Sequence, residues 1–594
     1  MLTKKNNVLL LAIGAAFVIL LLRLFQLQVV EGARYRKMAA ENAAKTVLAP
    51  APRGIIYDRN GRVMVANRPI FSVQVLPELL ASADTGKRDR ILNKLGELLG
   101  EKIEVKVSAG RPIIVKNNIP PEVAVRIEEQ KAALEGVVVS VMPVRYYPHG
   151  SVASHLLGYV GEIEADDLKR LKGEGYRLGD SVGKDGVEKL YDRLIRGIDG
   201  GKKIEVDAFG TPIRLLESLD PVPGADVKLT IDLDLQLAAE KALQGKNGAV
   251  VILDPNSGEV LALVSHPGYD PNLFINPLDK SKWWALTSKS HPFMNRALAI
   301  YPPGSIFKVV TMSAALTENL AKTDEIFNCP GFYKINNRYA SCWKTTGHGR
   351  LTLLEGLTQS CDVVFYELGR RLGADRLAAY AKNYGLGERT GIDLPQEKKG
   401  LIPTTEWKKK IWGESWYDGD SINYGIGQGF VQVTPLQMAA VYGTIAVGKR
   451  MKPYVVQEIK GRDGELLYQG KQEELGRAPV AWNTLSAIRS ALKEVVARAT
   501  GIAARVPGIP AAGKTGTAEN PGLPHAWFLC YAPVDEPKIV IASFVEHGQH
   551  GDRSAAYVAR DILTWYRDNR LPETSGEADS DQAEAGTKEA FDTR

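Results

Sequence analysis

The chain has 594 residues, 44% of them apolar and 24% charged, with a net charge of +6. That length exceeds what one hydrophobic core supports and implies two to four domains. The positive charges are spread along the chain without a basic block, which argues against a nucleic-acid footprint.

Residues 8–30, VLLLAIGAAFVILLLRLFQLQVV, are mostly apolar, interrupted by Arg23, Gln26 and Gln28. At about 1.5 Å per residue the run crosses a bilayer core of about 30 Å, and it is longer than a signal-peptide core. It predicts a single transmembrane anchor behind a tail of residues 1–7. Lys4 and Lys5 precede the run while Arg34, Arg36 and Lys37 follow it, so basic residues alone do not orient it. The short leading tail places the N-terminus in the cytoplasm and the rest of the chain outside it. No second run of similar length and apolarity occurs.

Residues 32–47 read as a polar connecting helix. Strand-like clusters in 51–77 flank an Asn60-Gly61 turn, and 88–135 is rich in helical pattern. Residues 31–220 thus predict an elongated α+β region without a catalytic cluster. The character changes at 221. Asp232 is positioned to cap a helix running to Leu243, and 248–266 reads as a hairpin around the turn Asp254 to Gly258. Strands and helices interleave from 221 to 570. Residues 571–594 hold seven acids against two bases and almost no aliphatics, the composition of a disordered tail.

Three clusters carry chemistry. In AIYPPGSIFKVVTM, Ser305 opens a predicted helix and Lys308 follows three residues on, so the amine shares a face with the hydroxyl. A serine needs such a base to become a nucleophile, and the start of a helix favours negative charge there. Alone, this pattern is common by chance. In AAGKTGTAENPG, Lys514, Thr515, Gly516 and Thr517 offer a cation and hydroxyls for a carboxylate, with a glycine that admits a substrate backbone. Between them lies Ser360-Cys361-Asp362, just before an apolar helical run.

In this order the three clusters resemble the motifs of penicillin-binding proteins and serine β-lactamases. ERTGIDLPQEKKGLIP and INYGIGQGFVQVTPLQMA are similar to further transpeptidase landmarks. RGIIYDRNG and GKDGVEKLYDRLIRGIDG resemble the non-catalytic pedestal of the class B enzymes. The likeness covers nearly the whole chain except its acidic tail. Within class B it is nearest the elongation-type enzymes, because Asp362 stands where division-type enzymes usually carry Asn. The resemblance implies an α+β multidomain fold: one transmembrane helix, a pedestal of residues 31–220, and a transpeptidase domain of residues 221–570 with an antiparallel sheet flanked by helices.

It further implies a D,D-transpeptidase that crosslinks peptidoglycan stem peptides and is acylated by β-lactams. Ser305 would attack the penultimate D-alanyl carbonyl and Lys308 would be its base. Ser360 would relay protons, and the Ser305 and Thr517 amides would form an oxyanion hole. Lys514, Thr515, Gly516 and Thr517 would form the carboxylate side of the site. The acyl transfer itself requires no cofactor. Expected partners are the membrane, a SEDS-family polymerase of the RodA type and other elongation-complex proteins. The expected location is the inner membrane, with the catalytic domain in the periplasm. An ionised Asp362 only accepts hydrogen bonds, whereas Asn also donates, so its role stays open.

Other readings are a division-type enzyme, a β-lactam sensor, and a scaffold that activates a glycosyltransferase. A β-lactamase lacks support because no Glu-x-x-x-Asn loop is found. A sensor would need an output domain or further spans.

Cys329, Cys342, His348 and Cys361 are spaced C-x12-C-x5-H-x12-C. Four such ligands can close a tetrahedral structural zinc site, which leaves no open position for hydrolysis. The alternative is a Cys329–Cys342 disulfide. On a helix, consecutive residues point about 100° apart, so Cys361 can face a metal while Ser360 and Asp362 face substrate. Cys530, in HAWFLCYAP, reads as a buried strand residue.

Overall fold

The computed structural model describes residues 2–35, 44–76, 85–105, 113–177, 179–206, 212–275, 280–287 and 290–571. Most of the expected acidic tail and residues 36–43 of the expected connecting helix lie outside these residues, and the end of that segment, from Ala44, is strand and not helix. A helix runs over Leu2–Phe25 and continues as a π-helical turn over Gln26–Val30. From Leu11 to Phe25 its large apolar side chains are exposed all round. Among the described residues it is the one helix long and apolar enough to cross a membrane.

The chain forms two compact units. The first comprises 1–54, 67–146 and 193–225. In it, Phe71–Val75 pairs antiparallel with Ile113–Ile119, and helices Thr85–Leu99 and Pro121–Glu129 supply apolar faces. Val73, Val75, Leu95, Ile119 and Ile127 form its core. A separate antiparallel sheet orders Ala44–Ala49, Gly200–Val206 and Pro212–Leu219.

The second unit comprises 55–66, 147–192 and 226–594. Asp232 caps α1 (Leu233–Leu243) by accepting from the amides of Asp234 and Leu235, as its sequence predicts. The predicted hairpin forms from β1 (Gly248–Leu253) and β2 (Val260–His266). Next come α2 (Lys308–Thr317), α3 (Asp362–Asn383), α4 (Asp418–Gly425), α5 (Pro435–Val447) and α6 (Trp482–Arg498). The sheet is completed by β3 (Ala512–Ala518), β4 (His525–Ala532) and β5 (Ile539–Val545), and α7 (Ala555–Arg570) follows.

The five-stranded sheet has the order β2-β1-β5-β4-β3, antiparallel throughout. Its central strands are apolar at nearly every position because both faces are covered. On one face Leu235 and Leu243 of α1 and Ile562 and Leu563 of α7 pack with Val250, Ile252 and Ile541. α5 packs across the other face. β3 is an edge strand, so one side of its backbone ladder is not used by the sheet.

Candidate active site

Ser305 does not open an α-helix as expected. It lies in a 3₁₀ turn, Gly304–Phe307, and α2 begins at Lys308. The preceding Pro302-Pro303 and the left-handed Gly304 (φ 59°) impose the tighter entry. A Cβ on Gly304 would lie 2.4 Å from the Thr517 carbonyl oxygen, so the turn sits directly against β3. Other bonds clamp the same turn. Gly304 N–H donates to the Gly427 carbonyl at 2.8 Å, Tyr442 hydroxyl to the Ile306 carbonyl at 3.1 Å, and Trp527 Nε1 to the Pro302 carbonyl at 3.1 Å.

Lys308 is fully buried at the start of α2. Its Nζ donates to Asp362 Oδ1 at 2.7 Å, the Ser360 carbonyl at 2.9 Å and Ser360 Oγ at 3.3 Å. All three oxygens belong to the Ser360–Asp362 turn. The Phe365 ring centroid lies 5.3 Å from the same nitrogen. Asp362 Oδ2 accepts from the Trp343 amide at 2.8 Å, so both carboxylate oxygens are engaged.

Ser360, Cys361 and Asp362 do face two directions, but not through helical spacing. Ser360 is left-handed (φ 54°) and Cys361 is extended, and the helix begins only at Asp362. The short helix Leu353–Thr358 ends just before, and the reversal that follows turns Ser360 and Asp362 toward Lys308 while Cys361 points away.

Lys514 is also fully buried, and its Nζ donates to the Thr515 carbonyl at 3.0 Å. Burial, with Lys308 nearby, drives its amine well below the usual lysine range, and Asp362 acts in the opposite sense. Thr515 Oγ1 donates to Thr500 Oγ1 at 2.9 Å. Gly516 lies under Ile306, whose Cγ2 would be 2.9 Å from an added Cβ. Thr517 is the partly exposed member of the strand, and its carbonyl accepts from Gln428 Nε2 at 3.4 Å.

The predicted motifs therefore meet: Ser305 and Lys308 on one turn, Ser360 and Asp362 around the amine, and 514–517 along the sheet edge. Sequence reading did not single out Trp343, Thr500 or Phe365. Trp343 carried one signal, its place beside Cys342. Gln428 sits in the GIGQG landmark, which marked the segment but not the contact.

Cys329, Cys342, His348 and Cys361 also converge, with one ligand atom from each within 4.8 Å of the others. All are free thiols or imidazole; the Cys329–Cys342 disulfide is not formed. His348 Nδ1 lies 3.5 Å from Cys329 Sγ and 3.6 Å from Cys342 Sγ. Zinc bonds of about 2.3 Å to sulfur and about 2.0 Å to nitrogen give a tetrahedral S···N edge of about 3.5 Å, which these two separations match. The hydrogen bond with Cys361 lowers the Cys342 thiol, while the same bond and burial raise Cys361. Cys530 is buried on β4 and pushed up to about 12 by desolvation, as its apolar context predicts.

The penicillin binding protein transpeptidase domain matches residues 248–564, and the penicillin-binding protein dimerisation domain matches 48–229. The chain is 32% identical to the peptidoglycan D,D-transpeptidase MrdA of Acinetobacter baumannii, over 93% of this chain and 86% of that one. It superposes on penicillin-binding protein 2 of Helicobacter pylori, solved in complex with MreC, with a TM-score of 0.77 and 30% identity, covering 89% of this chain and 100% of that chain. A chain from a peptidoglycan synthase complex, studied for how polymerization and crosslinking are coordinated, matches with a TM-score of 0.70 and 32% identity over 96% and 99%. The chain belongs to the penicillin-binding protein transpeptidases. Within them it groups with the elongation-type class B enzymes, the peptidoglycan D,D-transpeptidases of the MrdA, or penicillin-binding protein 2, kind.

Proposed function

We propose that Ser305 is the acyl-accepting nucleophile of a peptidoglycan D,D-transpeptidase. The observation that carries this assignment is the buried Lys308 amine, one turn from Ser305 and enclosed by Ser360 and Asp362 beside the Lys514–Thr517 edge. Ser305 Oγ bonds to the penultimate D-alanyl carbonyl carbon of a stem peptide, and the bond to the terminal D-alanine nitrogen breaks. Lys308 takes the hydroxyl proton, and Ser360 Oγ hands a proton on to the departing amine. An amine of a second stem then attacks the ester, forming the crosslink and returning the proton to Ser305. The amides of Ser305 and Thr517 stabilise both tetrahedral oxyanions. Lys514, Thr515 and Thr517 bind the terminal carboxylate, and Gly516 admits the substrate backbone.

Cys329, Cys342, His348 and Cys361 hold a structural zinc ion. Zinc bound there would cross-link the lobe that carries Trp343 to the turn that carries Asp362. The N-terminal helix is a single-pass inner-membrane anchor with its start in the cytoplasm and the catalytic unit in the periplasm. A RodA-type polymerase and elongation-complex proteins are the partners. The solved relatives, one with MreC and one in a synthase complex, support the assignment of partners.

Intact-mass measurement after incubation with a penicillin tests the nucleophile. The wild-type chain is expected to gain one drug mass, and Ser305→Ala none. A wild-type chain that stays unmodified overturns the assignment.

A further inference from the structure

Residues 425–433 touch both halves of the proposed oxyanion site and take no part in the acyl-transfer steps described above. Gly427 holds one half: its carbonyl accepts from the Gly304 amide at 2.8 Å, on the turn that carries Ser305. Gly427 is left-handed (φ 74°), and an added Cβ would lie 2.3 Å from the Gly304 carbonyl oxygen and 2.6 Å from Phe307 Cβ. The next residue holds the other half. Gln428 Nε2 donates to the Thr517 carbonyl on β3 at 3.4 Å.

This segment is tied down on several sides. Thr311 Oγ1 donates to the Gly425 carbonyl at 2.8 Å, and the Gln428 amide donates to the Asn423 carbonyl at 2.9 Å. Tyr301 and Val433 exchange both of their backbone bonds, at 2.8 and 2.9 Å. Gln428 therefore presents its carboxamide from a fixed backbone.

Strand geometry says what that carboxamide does to β3. In an antiparallel strand the N–H and C=O of one residue point to the same side, and successive residues alternate. The Thr517 carbonyl meets a side chain from outside the sheet, so Thr517 and, two residues back, Thr515 turn their backbone groups away from β4. The Thr515 carbonyl accepts from Lys514 Nζ at 3.0 Å. Both outward carbonyls between 514 and 517 thus have a side-chain donor, and the edge meets an incoming carbonyl oxygen with amide N–H groups. A carbonyl oxygen accepts twice, so an extended substrate can still bond the same Thr517 oxygen.

We infer that Gln428 is a positioning residue for acyl transfer, which holds Thr517 against the Ser305 turn so that their two amides converge on one oxygen. The inference rests on the transpeptidase reading. Gly427 and Gln428 are chain neighbours, so together they brace the turn and the strand at a fixed separation. The brace acts when negative charge develops on the substrate oxygen, because donors placed beforehand need no reorganisation at that moment. At 3.4 Å the Gln428 bond is long, and it has room to shorten as the charge develops.

Stopped-flow acylation of the full chain by a chromogenic β-lactam tests this, because it separates the dissociation constant of the noncovalent complex from the acylation rate constant. Gln428→Met keeps the side-chain length and removes the donor. Gln428→Glu keeps the shape and turns an ionised acceptor toward the Thr517 carbonyl. The acylation rate constant is expected to fall about tenfold in Gln428→Met, the worth of one net hydrogen bond, and further in Gln428→Glu. The noncovalent dissociation constant and the melting temperature should stay at their wild-type values. A boronic acid, whose tetrahedral adduct with Ser305 puts an oxygen in the same place, should lose affinity by a similar factor. An unchanged acylation rate constant in Gln428→Met overturns the positioning role. A loss confined to the noncovalent step, or one shared by that step and the melting temperature, overturns it too, the first marking a binding contact and the second a structural one. The penicillin adduct on the wild-type chain is scored separately. Its absence sinks the transpeptidase reading; its presence together with wild-type kinetics in Gln428→Met sinks the brace alone.

Discussion

Asp362 joins two backbone-distant groups with its two oxygens: Oδ1 takes Lys308 Nζ at 2.7 Å and Oδ2 takes the Trp343 amide at 2.8 Å. Both neighbours are donors, so the position calls for a group that only accepts. This answers the question the sequence left open about Asp in place of Asn. An asparagine here would accept from one donor and point its own NH₂ at the other. Asp362→Asn is therefore expected to destabilise the fold by about 1–3 kcal/mol, the cost of a buried donor left unpaired. Asp362→Ala removes the carboxylate that holds the buried Lys308 amine and should cost about 3 kcal/mol or more. Thermal unfolding ranks the variants, and penicillin acylation should slow in the same order. An Asp362→Asn protein as stable and as fast as wild type would refute the two-donor account.

Ser360 combines a strained backbone with a hydroxyl held against the Lys308 amine. Its φ of 54° is left-handed, and its carbonyl and Oγ both serve Lys308. Ser360→Ala keeps the strain and loses the hydroxyl. Ser360→Gly loses the hydroxyl but relieves about 1 kcal/mol of strain. Both variants are expected to acylate slowly, with the glycine variant melting higher than the alanine variant. Equal melting temperatures would show that the turn stores no strain.

The second-unit fold was largely legible in its residues. The Asp232 cap, the 248–266 hairpin and the buried run around Cys530 rest on local rules: a side-chain cap, a Pro-Asn-Ser-Gly turn and unbroken apolarity. The chemistry-bearing residues were legible because three motifs constrain one another. Two details were not. Ser305 occupies a 3₁₀ turn because Gly304 must clear the Thr517 carbonyl, a contact across more than 200 residues of sequence. Cys361 diverges from its neighbours through a left-handed residue, and nothing in a serine side chain announces positive φ. Thr500 escaped notice for the same reason as Trp343, since each acts through a pairing that only the fold creates.

The thiol and imidazole cluster is linked to the Asp362 carboxylate through chain neighbours. Cys342 precedes Trp343, whose amide holds Asp362, and Cys361 precedes Asp362 itself. An ion bound by Cys342 and Cys361 would fix that hydrogen bond from both ends. Elemental analysis of the purified chain is expected to find one zinc per molecule. Cys342→Ser should lower both metal content and melting temperature, and should slow penicillin acylation by about tenfold, the usual weight of a supporting shell. A metal-free wild-type protein would exclude the zinc proposal. Full acylation in a metal-depleted variant would confine the cluster to a local structural role.

Lys514 weighs on stability through its burial. Its amine lies in a fully buried site, and burial with Lys308 nearby pushes its pKa well below the free value. The unfolded chain therefore binds this proton more tightly than the folded one, and stability rises with pH between the folded pKa and about 10.4. Below that window the lysine weighs against folding; above it the cost is gone. Lys514→Met keeps the bulk and removes the titration. It is expected to melt higher than wild type near neutral pH, with the gap closing as pH approaches about 10. Acylation by penicillin should fall by about 100-fold or more if this amine holds the substrate carboxylate as proposed. Melting curves across pH, set beside acylation rates, check both halves. A pH-independent gap would mean that packing rather than the buried charge sets the difference.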